Sequence, residues 1–134
     1  MHRLGYLLLA VILILPVQSA AEEPFISVTP DPEAIEDMRA VLVDIRQPQE
    51  WRETGIVEDS LTIAFNDPQA FVQDLAPYLK GGKPAALICR SGHRSRNLAR
   101  YLGTRLEVGV INIEGGIVSL LRRGYETIPY EGNT

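Results

Sequence analysis

The sequence predicts an α/β domain built on a central, mostly parallel five-stranded sheet flanked by helices. Three observations carry that expectation. Short apolar runs alternate with helical patterns from residue 25 onward. The runs Ala40 to Ile45 and Pro84 to Cys89 are apolar almost throughout, as expected of strands buried on both faces. Asp44, Cys89 and Glu114 each fall at the end of a strand, where the working groups of such sheets gather.

Phe25-Ile26-Ser27-Val28 reads as a first short strand, and Thr29-Pro30-Asp31-Pro32 supplies turn and cap chemistry for a helix over Glu33 to Met38. After the strand Ala40 to Ile45, Pro48 to Arg52 is a short helical turn ended by Gly55. Ser60 to Phe65 is a weaker strand, and Asp67-Pro68 opens a helix to Leu79, closed by Gly81-Gly82. The Cys89 strand follows, then a helix from His93 to Leu106, the strand Val110 to Ile113, and a last helix from Gly116 to Arg123. No internal repeat, low-complexity tract or linker interrupts this order.

Residues 1–21 have the three parts of a secretory signal: the basic start Met1-His2-Arg3, an apolar run from Leu4 to Val17, and small residues at Ser19-Ala20-Ala21. The apolar run is about 14 residues, short of the roughly 20 that span a bilayer as a helix. The expectation is therefore cleavage after Ala21, rather than an uncleaved anchor, and a mature domain over 22–134 in a bacterial periplasm. Cleavage removes Arg3, leaving 12 Lys and Arg against 17 Asp and Glu, a net charge of −5. An acidic chain of this kind lacks the broad basic face that nucleic-acid binding needs. One cysteine, one histidine beyond residue 21 and no ligand-spaced pair give no support for a metal site. A Gly-rich nucleotide loop is also missing. The expected form is a monomer without a cofactor.

The only cysteine, Cys89, begins the run Cys89-Arg90-Ser91-Gly92-His93-Arg94-Ser95. A lone cysteine ending an apolar strand is usually a small buried hydrophobe. Packing, however, requires neither two arginines nor a glycine directly after the thiol. A strand that delivers a thiol into a loop leading to a helix N-terminus favours the thiolate, because amide dipoles and guanidinium groups stabilise its charge. Five arginines and no acid lie between Cys89 and Arg105; Arg96, Arg100 and Arg105 can be a solvated helix face, so the case rests on Arg90 and Arg94. The export signal implies an oxidising compartment, where an unpaired thiol is better explained by reactivity than by structure.

Four segments in order resemble the rhodanese family of single-domain sulfurtransferases: Asp44-Ile45-Arg46-Gln47-Pro48-Gln49-Glu50-Trp51, the Cys89 to Ser95 loop, Glu114-Gly115-Gly116-Ile117, and Gly124-Tyr125-Glu126-Thr127-Ile128-Pro129. The resemblance covers residues 25–130. It implies a parallel sheet flanked by helices and a reaction in which Cys89 takes the outer sulfur of a donor such as thiosulfate, expels sulfite, and holds a persulfide until a thiol or cyanide accepts the sulfur. Arg90 and Arg94 would hold the donor's sulfonate oxygens, and loop amides from Arg90 to Ser95 would stabilise the thiolate and then the persulfide. Gly92 would let the backbone turn its amides inward; His93 is either a substrate contact or a solvent-facing loop histidine. Asp44 and Arg46 read as architecture: the Asp accepting loop amides, the Arg bracing an acid such as Glu50.

Two departures stand out. Gly55-Ile56-Val57-Glu58-Asp59-Ser60 lacks the His, the Pro and the second Gly that the family often carries, and Leu120 replaces an aromatic. A cysteine phosphatase or arsenate reductase would need an arginine six positions after the cysteine, where this chain has Ser95. A purely interaction-mediating rhodanese-like domain usually lacks the cysteine. A sulfur carrier or thiol-redox helper for an exported partner stays open.

Overall fold

The computed structural model describes residues 12–132. The order is β1 (Ile26–Val28), α1 (Pro32–Glu36), β2 (Val41–Asp44), α2 (Pro48–Thr54), β3 (Leu61–Thr62), α3 (Pro68–Leu75), β4 (Ala85–Ile88), α4 (His93–Gly103), β5 (Val110–Ile113) and α5 (Gly116–Arg122), with a 3-10 turn over Ala76–Leu79 after α3. The five strands form one sheet in the order β1-β5-β4-β2-β3. Every pairing within that sheet is parallel, and an isolated antiparallel bridge joins Ile56 to Ile128.

Side-chain alternation along β4 divides the interior into two cores. Ala85, Leu87 and Cys89 face one side, with Val43 from β2, Ile45 just past its end, Phe71 and Leu75 from α3, and Leu98 and Leu102 from α4. Ala86 and Ile88 face the other, with Ile35, Leu42, Ile113, Ile117 and Leu120. All four residues of β4 are fully buried, which is why this stretch is apolar without interruption. The thiol therefore leaves the most buried strand on the α3/α4 side, beside the N-terminus of α4.

The elements match the expected ones, and three of them end three or more residues early. β3 keeps two ladder residues out of the expected Ser60 to Phe65, although Ile63 and Phe65 still donate to the carbonyls of Asp44 (3.1 Å) and Ile45 (3.0 Å). It lies at the sheet edge, where only one neighbour holds it. The expected helix to Leu79 leaves α geometry after Leu75 because Pro77 has no N–H for the carbonyl four residues back. The helix from His93 stops at Gly103, and a turn with the Leu106 amide on Leu102 O (2.8 Å) completes it.

Part of the expected signal, residues 1–11, lies outside the described residues. Residues 12–21 form no regular element and are exposed. No helix among the described residues is long and apolar enough to cross a membrane. The Glu23 carboxylate pairs with Arg100 on α4.

Candidate active site

The loop after β4 wraps its backbone around the sulfur of Cys89. Gly92 has φ 98°, a left-handed conformation that glycine adopts without strain, and its amide donates to Sγ at 3.1 Å. The amide of Ser95 approaches Sγ at 3.5 Å, and its hydroxyl oxygen at 3.3 Å. Two amides of a helix N-terminal turn thus face one sulfur, a geometry that favours negative charge there. Cys89, Gly92 and Ser95 are buried, while Arg90, Ser91, His93 and Arg94 form an exposed rim. His93 makes no side-chain hydrogen bond among the described residues and begins α4 at the surface.

The outer side of the loop is held by α5. The amides of Ile117 and Val118 donate to the carbonyls of Cys89 (2.9 Å) and Arg90 (3.1 Å). A trans peptide points its C=O and the following N–H in opposite directions, so this anchoring turns the amides of Arg90 and Ser91 away from α5. Such an approach needs Gly116, with φ 60°: a Cβ there would overlap Cys89 O and come within 2.5 Å of Arg90 O. Gly115-Gly116 is a docking surface for the cysteine loop.

The arginines are arranged differently from the sequence expectation. Arg94 does not point free toward a donor: its guanidinium donates twice to the Glu50 carboxylate, at 2.9 and 2.6 Å. That pairing, with the Gln47 amide at 3.0 Å, holds the Glu50 carboxyl at about 2, below its ordinary 4.5, and raises Arg94 above its own ordinary value. Arg96 pairs with Glu114 and Arg100 with Glu23. Arg105 lies over the Tyr101 ring at 3.7 Å. Arg90 is the loop arginine without an ion pair among the described residues.

Asp44 and Arg46 make other contacts than the expected ones. Both are buried, joined at 2.7 Å. Asp44 Oδ1 accepts the amide of Arg46 (3.1 Å) rather than amides of the cysteine loop. Arg46 does not brace the Glu50 carboxylate: it reaches Thr54 Oγ1 (2.7 Å) and Gly55 O (2.9 Å), closing the C-terminal end of α2. Because Glu50 sits on α2, this buried pair fixes the platform that holds Arg94.

Sequence reasoning missed Asn112. It is fully buried on β5, accepts from Ser95 Oγ at 2.6 Å, and donates to Ser27 Oγ (3.1 Å) and Glu114 Oε2 (3.2 Å). The available signal was an amide in the otherwise apolar run Val110-Ile111-Asn112-Ile113, since a buried polar group requires partners. Of the two departures noted above, Asp59 takes φ 60°, a conformation that Asp tolerates better than most residues. Leu120 is buried in the core below α5.

Residues 32–123 match the rhodanese-like domain family. The chain belongs to that family. Among relatives, a sulfurtransferase of Allochromatium vinosum is 30% identical over 92 residues, covering 69% of this chain and 81% of that protein. An uncharacterized protein of Synechocystis sp. is 28% identical over 106 residues, covering 76% of this chain. The chain spans little more than half of that relative, 56% of its length. The crystal structure of a rhodanese-related protein from Thermoplasma volcanium superposes with a TM-score of 0.55 at 25% identity, covering 72% of this chain and 93% of the other. Within this rhodanese-like domain, the position that a phosphatase needs for its clamping arginine holds Ser95. Arg94 and Arg96, on either side of it, are engaged by Glu50 and Glu114.

Proposed function

We propose that the protein is a sulfurtransferase that takes sulfane sulfur from a small anionic donor of the thiosulfate type onto Cys89 and delivers it to a thiol or cyanide. The observation that carries this reading is the cysteine sulfur facing the Gly92 and Ser95 amides at the carboxyl end of the central strand. The name of the Allochromatium relative supports the class of reaction. The Cys89 thiolate attacks the outer sulfur of thiosulfate. The bond between the two donor sulfurs breaks, and sulfite leaves with the electron pair. Cyanide or a thiolate then attacks the outer sulfur of the persulfide, forming thiocyanate or a new persulfide and returning the Cys89 thiolate. Loop amides hold the charge on sulfur at each stage, and exposed Arg90, without an ion pair among the described residues, supplies the charge for the donor's sulfonate. Cys89 is fully buried beneath the exposed rim of Arg90, Ser91 and His93, so a donor that reacts with Sγ must displace part of its cover.

Export to a periplasm, with cleavage after Ala21, belongs to the same proposal and rests on the signal-like stretch 1–21. The deciding experiment measures sulfite and thiocyanate from thiosulfate and cyanide. Wild type is expected to turn over and to gain one sulfur by intact mass after thiosulfate alone, whereas Cys89→Ser does neither while keeping its circular dichroism. Equal turnover by Cys89→Ser would remove the nucleophile from the reading.

A further inference from the structure

The buried polar chain behind the cysteine carries an inference about how the thiol is tuned, resting on the reading of Cys89 as the nucleophile. Asn112 has one orientation that satisfies its neighbours. Glu114 Oε2, a carboxylate oxygen that only accepts, lies 3.2 Å from Nδ2, so Oδ1 turns to Ser95. The Ser95 hydroxyl has one proton and three neighbours: Asn112 Oδ1 at 2.6 Å, Gly92 O at 3.2 Å and Cys89 Sγ at 3.3 Å. The two oxygens accept only, and the shorter contact claims the proton. Ser95 therefore presents a lone pair, and not a proton, to the sulfur.

The geometry points to Asn112 as a positioning residue that holds the Ser95 proton away from Sγ, so that Ser95 accepts from the Cys89 thiol and withholds a hydrogen bond from the thiolate. The thiolate is left to the Gly92 and Ser95 amides. A sulfur with one donor fewer is a stronger nucleophile, because nucleophilicity falls as the thiolate is stabilised. The charged and titratable groups around this sulfur are Arg90, His93 and Arg94 from the loop and α4, Glu50 from α2, Asp44 and Arg46 from β2 and its end, and the Arg96–Glu114 pair beside Asn112. The substitutions below keep all of them, and only the Asp variant adds another.

Cys89 is the only cysteine, so the ultraviolet absorbance of the thiolate, referenced to Cys89→Ser, titrates it without depending on reagent access or on turnover. Asn112→Leu is close in volume and leaves the Ser95 hydroxyl with Gly92 O at 3.2 Å and Sγ at 3.3 Å; at nearly equal distance the charged sulfur is the stronger acceptor, so the hydroxyl donates to it. Its titration midpoint is expected about one unit below wild type, the size of a weak charge-assisted hydrogen bond. In a Ser95→Ala background the same substitution should shift nothing. Asn112→Asp, which keeps an acceptor facing Ser95, should titrate no lower than wild type. Ser95→Ala alone should not raise the midpoint, and this conservative variant decides the matter even where Asn112→Leu fails to fold. A higher midpoint in Ser95→Ala, an unmoved midpoint in folded Asn112→Leu, or a downward shift that persists without the hydroxyl would overturn the role of Asn112. Absence of sulfur transfer in an enzyme that titrates as expected would instead count against the proposed reaction alone.

Discussion

Replacing Glu50 by Gln isolates what its pairing with Arg94 does for folding and for anion binding. The two side chains are 24% and 41% exposed, so water screens the pair and its contribution to stability is about 0.2–1 kcal/mol. Gln retains an oxygen for the Gln47 amide, which limits damage to the start of α2. The melting temperature at neutral pH should fall by no more than about 6 °C. The pH dependence has a definite sign. With its carboxyl at about 2 in the folded chain against an ordinary 4.5, Glu50 binds fewer protons folded than unfolded. Its contribution is complete above about pH 4.5 and is lost as pH falls from there through about 2, so the wild-type advantage should shrink across that window. Catalysis should move the other way. Arg94 loses its counter-charge and becomes available to a dianion, so the KM for thiosulfate should fall about threefold to tenfold, or ~0.7–1.4 kcal/mol, with a smaller effect at high ionic strength. Initial rates of thiocyanate formation at two salt concentrations measure this. A KM equal to or above that of wild type would refute the idea that Glu50 occupies a guanidinium a donor would otherwise engage.

Arg90→Gln should raise the KM for thiosulfate by about tenfold or more, the worth of a charge-assisted contact, whereas Arg94→Gln, which removes an already neutralised charge, should raise it by less than about threefold; the reverse order in steady-state kinetics would show that the Glu50 pair opens when donor binds. Gly116→Ala places a methyl group against Cys89 O and Arg90 O at φ 60°, so it should cost about 1–2 kcal/mol from conformation alone and lower kcat/KM by displacing the loop, as read by urea unfolding and turnover. Arg46→Met leaves Asp44 buried and unpaired, and breaking a buried pair costs about 3–5 kcal/mol; the expected drop in melting temperature is roughly 10–20 °C, and a drop of only a few degrees would show that water reaches Asp44. N-terminal sequencing of the exported protein should begin at or near Glu22, and recovery of chains that still carry Met1 in the membrane fraction would overturn cleavage.

The fold was legible where one local cause dominates. β4 announced itself because a strand covered on both faces has no polar position to interrupt it, and α2 and α3 because Pro48 and Pro68 can occupy only the first turn of a helix. The shortened ends have causes that sequence patterning does not weigh: β3 ends early for want of a second neighbour, and α3 ends at a proline that a strong apolar pattern on both sides had hidden. In the site, the cysteine loop was legible because its signal is local, seven residues in a row from Cys89 to Ser95. The electrostatics were not, because the partners are distant in sequence. From Cys89 to Arg105 the chain carries five arginines and no acid, which reads as a strongly cationic segment. Folding brings Glu50, Glu114 and Glu23 from three other parts of the chain onto Arg94, Arg96 and Arg100. The segment that is basic along the chain is thus largely neutralised in space, and on the proposed reading an anionic donor is left to Arg90 and to backbone amides whose direction Gly92 and Gly116 set. A charge on a long side chain can be cancelled by one substitution elsewhere, as with Glu50. An amide direction set by Gly92, Gly116 and the two α5 amides on Cys89 O and Arg90 O depends on no charged partner, so the loop, and not the arginine count, is the feature that supports sulfur chemistry.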